Sequence, residues 1–209
     1  MTNPDYTALM LVIDRSGSMS SIKDDMVGGL TSLIDEQKAE PGLLTVSMVT
    51  FDDTVDLVHS MASPEALEIE LNPRGSTALY DALGFALNNF QSSLDALPEV
   101  VRPGNVQVVV VTDGKENSSR EFSGPTLKAL VTEKLEKQNW DIVFLGANQD
   151  AVMNAAELGI KRGSAMTYGA DSHGVKEATD SLKRYMKDKK SGGDTSFRDD
   201  ERERASGNQ

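Results

Sequence analysis

Short apolar runs alternate with amphipathic segments along nearly the whole chain. The runs at residues 8–13 and 106–113 are too apolar to leave a face in water, which is typical of strands buried on both sides of a parallel sheet. Elsewhere apolar residues recur at the 3.6-residue spacing of a helix, as at Ile22, Met26 and Leu30. This alternation predicts an α/β fold, in which a doubly wound, mostly parallel six-stranded sheet carries helices on both faces.

One connection breaks the parallel pattern. Residues 44–51 and 55–60 both have the composition of strands, and the three residues between them form a hairpin-length link. This pair therefore predicts one short antiparallel strand at the edge of the sheet.

A fifth strand is predicted over residues 141–147 and a sixth over 164–168, and Ser172 is expected to cap the last helix.

The chain divides by composition into a domain and a tail. Its 209 residues, 38% of them hydrophobic and 26% charged, are typical of a globular chain that buries one core. We expect this domain to occupy residues 1–186. Residues 187–209 are rich in Gly, Ser and charge and almost free of apolar residues, so they are predicted to form a disordered charged tail.

Charge and composition exclude several classes of function. A formal net charge of −12 argues against nucleic acid or an anionic membrane as a partner. The absence of cysteine excludes disulfides, thiolate catalysis and Cys-based zinc sites, and His59 and His173 are the only histidines. The N-terminus lacks the basic region of a signal peptide, and no apolar run is long enough to span a membrane. We therefore expect a soluble, cytoplasmic monomer.

Oxygen-bearing side chains gather where two predicted central strands end. Asp14 ends the first strand and Asp113 the fourth, so their carboxylates meet at one edge of the sheet if these strands are parallel neighbours. Ser16 and Ser18 follow at alternate positions, and Thr77 lies at the start of the second helix. Two carboxylates and three hydroxyls suit a hard cation, Mg²⁺ first and then Mn²⁺ or Ca²⁺.

Simpler explanations exist for each of these residues taken singly. Ser16, Ser18 and Thr77 are also common turn or helix-capping residues, and Asp113 precedes a glycine as many turn aspartates do. An EF-hand loop is excluded, because its sixth position requires glycine and Met19 stands there.

Three segments resemble the von Willebrand factor type A domain family. Residues 14–18, with the sequence DRSGS, are similar to its DxSxS signature, residues 75–79 to its threonine loop and residues 111–114 to its TDG loop. The resemblance extends over about residues 6–186. It implies a metal-ion-dependent adhesion site that holds one Mg²⁺. The ligands it implies are Asp14, Ser16, Ser18, Thr77 and Asp113.

The same resemblance implies a protein-binding module rather than an enzyme. The bound ion would coordinate an Asp or Glu carboxylate of a partner protein, and related intracellular proteins commonly act beside AAA+ ATPases. Residues 115–120 are expected to rim the site.

Two competing hypotheses remain open from the sequence. A Mg²⁺-dependent hydrolase or phosphatase would need a general base near the ion, and Asp52 and Asp53 are the nearby candidates. With Asp56 they also fit either a second cation site or a solvated turn. The other hypothesis is a scaffold whose metal is purely structural.

Overall fold

The computed structural model describes residues 2–147 and 150–207. Within them a single six-stranded sheet has the strand order β3-β2-β1-β4-β5-β6. The strands are β1 (Asn3–Asp14), β2 (Leu43–Phe51), β3 (Val55–Ala62), β4 (Pro103–Thr112), β5 (Asp141–Ala147) and β6 (Ala165–Tyr168). The β2–β3 pair is antiparallel and every other pair is parallel, which confirms the predicted sheet with its antiparallel edge strand.

Helices cover both faces of this sheet because successive strand residues point to opposite sides. The helices of the described residues are α1 (Lys23–Ala39), α2 (Leu79–Asp95), α3 (Gly124–Lys137), α4 (Ala151–Glu157), α5 (Ser172–Lys190) and α6 (Asp199–Ser206). Leu9, Leu11 and Ile13 of β1 pack toward α1 and α5, whereas Met10 and Val12 pack toward α2 and α3. Among the described residues, no helix is both long and apolar enough to cross a bilayer.

The strand order reverses between β1 and β4. The chain runs from β1 outward through β2 to β3, then returns to β4 on the other side of β1 and continues through β5 to β6. Ile13 of β1 pairs in register with Val111 of β4, so the two strands end side by side. In open α/β sheets such a switch point leaves a crevice at the carboxyl ends of the strands, where ligands bind.

Helix α5 begins one residue away from the predicted cap. Asp171, not Ser172, is its N-cap: the Asp171 carboxylate accepts a hydrogen bond from the Gly174 amide at 2.8 Å. Ser172 is the first helical residue, and its hydroxyl instead donates to Asp25 of α1. A carboxylate also interacts more favourably than a hydroxyl with the positive end of the helix dipole.

The predicted disordered tail is wrong for residues 187–207. Helix α5 continues to Lys190, and α6 packs against it. Phe197, only 4% exposed, and Ala205 belong to the core on the α1–α5 face, and the Phe197 ring lies 5.1 Å from that of Tyr185. Composition averaged over the segment hides these contacts, because two apolar residues are enough to anchor a helix when a neighbouring helix already offers an apolar surface.

A candidate metal site at the switch point

Four of the predicted ligands meet where β1 and β4 end. The Ser16 amide donates to Asp14 Oδ1 at 2.7 Å, which folds the chain back just after the strand. The Ser18 hydroxyl donates to Asp113 Oδ1 at 2.7 Å, and the Ser16 and Ser18 hydroxyl oxygens lie 3.2 Å apart. Ser16 is the N-cap of the 3-10 helix Gly17–Ser21, yet its side chain makes no capping hydrogen bond. The serine hydroxyls therefore face the carboxylates instead of serving the helix.

Thr77 reaches the same place from the loop before α2. A Cβ built on Gly114 would lie 2.6 Å from the Thr77 hydroxyl, so this hydroxyl lies against the residue that follows Asp113. Ala78, not Thr77, is the N-cap of α2. Asn117 holds the Thr77 backbone on both sides: its side-chain oxygen accepts from the Thr77 amide at 3.0 Å and its own amide donates to the Thr77 carbonyl at 3.1 Å.

The two carboxylates of the site lie in an unfavourable environment for negative charge. Burial raises the pKa of Asp14, and the neighbouring Asp113 raises it further, although a hydrogen bond of 2.6 Å from the Thr112 hydroxyl opposes the shift. Burial likewise raises the pKa of Asp113, against the hydrogen bond from Ser18. A divalent cation would relieve both effects, since a nearby positive charge favours the ionised carboxylate.

The donor set also fits a hard cation in its chemistry. Within residues 2–147 and 150–207, no group of three or more Asp, Glu, His or Cys side chains is arranged to hold a metal ion. The predicted set differs from such a group because hydroxyls supply three of its five side chains. Neutral oxygen ligands together with two carboxylates match Mg²⁺, Mn²⁺ or Ca²⁺ better than a softer ion that prefers nitrogen or sulfur.

A buried ion-pair network ties the oxygen-bearing loops together. Asp52, only 2% exposed, accepts hydrogen bonds from Arg15 Nε at 3.1 Å and from Arg74 Nε at 2.7 Å. Burial opposes its ionisation, but hydrogen bonds from Arg74, Thr54 and Arg15 hold the pKa of Asp52 well below its ordinary value. Asp56 pairs with the same Arg15 at 2.6 Å. Because Asp52 is buried and paired with two arginines, neither the second cation site nor the solvated turn describes this residue.

The loop after Asp113 lies beside the site, where Asn117 contacts Thr77. The carboxylate of Glu116 holds this loop in place. Glu116 accepts hydrogen bonds from the Tyr80 amide at 2.8 Å and from the Ser119 amide at 2.7 Å, which joins the loop to the start of α2. A cavity of about 190 Å³ lies beside Gly114, and Lys115 is among its lining residues.

Sequence reasoning missed several residues that support this arrangement. Thr112 stands directly before Asp113, and its position at the end of a strand next to Asp14 was the available signal. Asn117 lay in the predicted rim without an assigned role. No local signal marks Asp52, because its partners Arg15 and Arg74 lie 37 and 22 residues away along the chain.

Comparison of the sequence with known families identifies the family of this chain. Residues 8–181 match the profile of the von Willebrand factor type A domain, and this chain belongs to that family. No curated protein matches the chain.

Solved structures share the fold at low sequence identity. Proximal thread matrix protein 1 from the mussel byssus superposes with a TM-score of 0.64 at 16% identity, over 87% of this chain and 46% of that one. The structure of the same protein with a zinc-occupied MIDAS (metal-ion-dependent adhesion site) motif superposes with a TM-score of 0.61 at 19% identity, over 88% of this chain and 44% of that one. The manganese-loaded TRAP protein of Plasmodium vivax superposes with a TM-score of 0.58 at 16% identity, over 80% of this chain and 70% of that one. The chain thus spans less than half the length of the mussel protein.

Proposed function

We propose that this chain is a metal-dependent protein-binding module, in which one divalent cation coordinates an Asp or Glu carboxylate of a partner protein. The proposed resident ion is Mg²⁺, with Mn²⁺ or Ca²⁺ as alternatives. The proposed ligands are Asp14, Ser16, Ser18, Thr77 and Asp113. The observation that carries the proposal is the 2.7 Å hydrogen bond between Ser18 and Asp113, which joins the ends of two strands within an all-oxygen set.

The charges of the ligand set explain why a partner carboxylate would bind. Asp14 and Asp113 together only neutralise a divalent ion, and the three hydroxyls add no charge. An ion held in this way retains affinity for one further anionic oxygen. The residues themselves orient the site: Thr112 and the Ser16 amide fix the Asp14 carboxylate, and Asn117 fixes the backbone of Thr77.

The surroundings of the ion are proposed to select the partner. The 190 Å³ cavity beside Gly114 combines apolar Leu79 and Leu158 with charged Lys115 and Glu157, so it offers room for a side chain that neighbours the partner's acid. Because the chain carries a net charge of −12, a generally acidic partner would be repelled. The preferred partner therefore presents one acid within a neutral or basic face, and the association weakens with added salt. By analogy with the family, we propose a cytoplasmic monomer that acts in an AAA+ ATPase-linked system.

Binding is favoured over hydrolysis because the nearby bases are already engaged. Asp52 is held by two arginines, and the Asp53 carboxylate accepts from the Ser76 amide at 3.0 Å. His59 lies on β3, where its ring contacts the Glu68 carbonyl. A hydrolase would need one of these groups free to activate water beside the ion.

Metal binding is the first step to test. Calorimetric titration of the purified chain with Mg²⁺ or Mn²⁺ should show one metal-binding site per chain. The Asp113→Asn variant should lose this binding. Asp24→Asn, which alters a side chain 94% exposed on α1, serves as the matched control and should bind as the wild type does. Wild-type protein without measurable binding at millimolar metal would refute the proposed site.

Partner binding is tested by affinity capture from the native host in Mg²⁺ and in EDTA, with wild-type and Asp14→Ala protein. Partners should be retained only by the wild type in Mg²⁺. Identical partners in all four samples would exclude a metal-bridged interaction. A variant Asp113→Ala that unfolds, instead of staying folded and losing its partner, would favour a purely structural metal.

A further inference from the structure

A second cavity, with a polar lining, lies at the amino-terminal ends of the strands β5 and β6, on the side of the sheet opposite the candidate metal site. It has a volume of about 320 Å³ and is formed by the start of β5, the end of α5 and the segment before α6. Its polar lining includes Asn139, Asp141, Lys161, Ser164, Lys189 and Thr195. Asp141 is the first residue of β5, whose seven residues span roughly 20 Å at about 3.3 Å each. The cavity is therefore separate from the candidate metal site at the carboxyl ends of the strands.

Asp141 points one unsatisfied oxygen into a buried environment. The residue is 7% exposed, and its Oδ1 accepts a hydrogen bond from the Tyr185 hydroxyl at 2.9 Å. The Tyr185 hydroxyl in turn lies 3.0 Å from Ser164 Oγ, so this chain of hydroxyls fixes the carboxylate. Asp141 Oδ2 is buried and has no hydrogen-bond partner among the described residues. Because a buried polar atom without a partner is costly, this oxygen needs a donor that the described part of the chain does not supply.

Gln107 extends the unsatisfied polar region next to Asp141. The two residues are directly paired across β4 and β5. Gln107 is 1% exposed, and neither its side-chain oxygen nor its side-chain nitrogen has a partner among the described residues. Two adjacent buried side chains with unmet hydrogen-bonding capacity are unusual in a region that serves packing alone.

The charges around the cavity are of both signs. Burial raises the pKa of Asp141, while the positive charges of Lys189 and Lys161 lower it, so both ammonium groups act on this carboxylate. A simple cation would meet Asp141 but would be repelled by the lysines. A simple anion would meet the lysines but would be repelled by Asp141. A molecule with both charges satisfies the whole cavity.

We propose that this cavity binds a small zwitterion of the amino-acid class, with its ammonium group at the Asp141 carboxylate and its carboxylate between Lys161 and Lys189. The volume accommodates a molecule of this size. Lys189 and Thr195 lie beyond residue 181, where the family match ends, so part of the wall comes from a segment outside the matched family region. The site is thus a property of this chain rather than of the shared domain.

The test is calorimetric titration of the full-length chain with L-alanine and L-glutamate. The matched probes are ethylamine and propionate, which each lack one charged group of alanine, and glutarate, which lacks the ammonium group of glutamate. At least one amino acid should bind, and its matched probes should bind about tenfold to a hundredfold more weakly, because each loses one charge-assisted contact.

Variants locate the binding. Asp141→Asn keeps the volume and an acceptor for Tyr185, and Lys189→Met removes one ammonium group; each should weaken binding by about tenfold or more. Lys187→Met changes an exposed lysine two positions away on the same helix and should have no effect. Wild-type protein that binds neither amino acid at millimolar concentration overturns the proposal, and so does binding that survives both variants. Equal binding of a probe that lacks one charge would overturn the zwitterionic assignment.

Discussion

Replacement of Asp52 by asparagine tests whether the buried ion-pair network stabilises the loops of the site. The substitution keeps the side-chain volume and one oxygen that can still accept from the Thr54 amide, which donates at 2.8 Å. It removes the charge and turns an amide nitrogen, itself a donor, toward the donors of Arg15 and Arg74. Arg15 then remains largely buried, with its side chain 13% exposed, beside a partner that no longer carries a charge.

The magnitude follows from which of these contacts is buried. Removing one partner of a buried ion pair costs about 3–5 kcal/mol, because the other charge stays desolvated. The Arg74 side chain is 65% exposed, so water replaces its contact and it adds little. Because the asparagine oxygen retains the Thr54 contacts and Asp56 still pairs with Arg15, we expect a loss no greater than the lower limit, about 3 kcal/mol. In a chain of this length that corresponds to a fall in Tm of roughly 6–12 °C.

Urea and thermal unfolding of the wild type, Asp52→Asn and Asp56→Asn measure this loss. Asp56 also contacts Arg15, but its side chain is 54% exposed, so its variant should lose no more than about 1 kcal/mol. A loss below about 1 kcal/mol for Asp52→Asn, or equal losses for the two variants, would refute the reasoning.

The same pair of proteins gives a pH dependence whose sign is set by the pKa of Asp52. Its pKa in the folded chain is lowered, so the unfolded chain binds more protons and the stabilisation is fully present above the unfolded value of about 3.9. The stabilisation is lost as the pH falls through the lower folded value. The difference in unfolding free energy between the wild type and Asp52→Asn should therefore narrow below about pH 4. A difference that stays constant into acid would contradict this assignment.

Three further predictions concern packing and the metal site. Gly28→Ala should raise the unfolding free energy by about 1 kcal/mol, because nothing lies within 4 Å of the added Cβ in α1. Gly29→Ala should lower the unfolding free energy, since its Cβ would lie 2.7 Å from a side chain of α5. Urea denaturation of the two variants and the wild type measures both changes. Phe197→Ala should cost about 3–5 kcal/mol in the same assay, and no loss would mean that the C-terminal segment does not pack. Saturating Mg²⁺, at about 100 times its Kd, should stabilise the wild type by roughly 2.7 kcal/mol in thermal unfolding. Gly114→Ala should shrink that gain by displacing Thr77, and an unchanged gain would exclude this contact from the site.

Local patterns were sufficient for the parts of the molecule that depend on nearby residues. The apolar runs predicted the strands because a strand covered on both faces must be apolar along its length. The hairpin-length link between β2 and β3 predicted their antiparallel pairing. The prediction of a disordered tail was wrong because this segment depends on contacts with distant residues. Phe197 and the ion pair between Arg184 and Glu201 stabilise it against α5, and composition does not reveal such contacts.

By itself, the sequence determined which side chains end the strands and therefore which chemistry is available, namely carboxylates and hydroxyls without sulfur. Only the tertiary structure decided that these side chains meet, since Ser18 and Asp113 are 95 residues apart and come together because β4 returns beside β1. It also decided that Asp52 is buried between two arginines and that Asp141 is paired with Gln107 at the far edge of the sheet. The physical reason is the same in each case. Periodicity along the chain reports which face of an element is apolar, whereas the burial of a charged group depends on partners that long-range pairing alone brings to it.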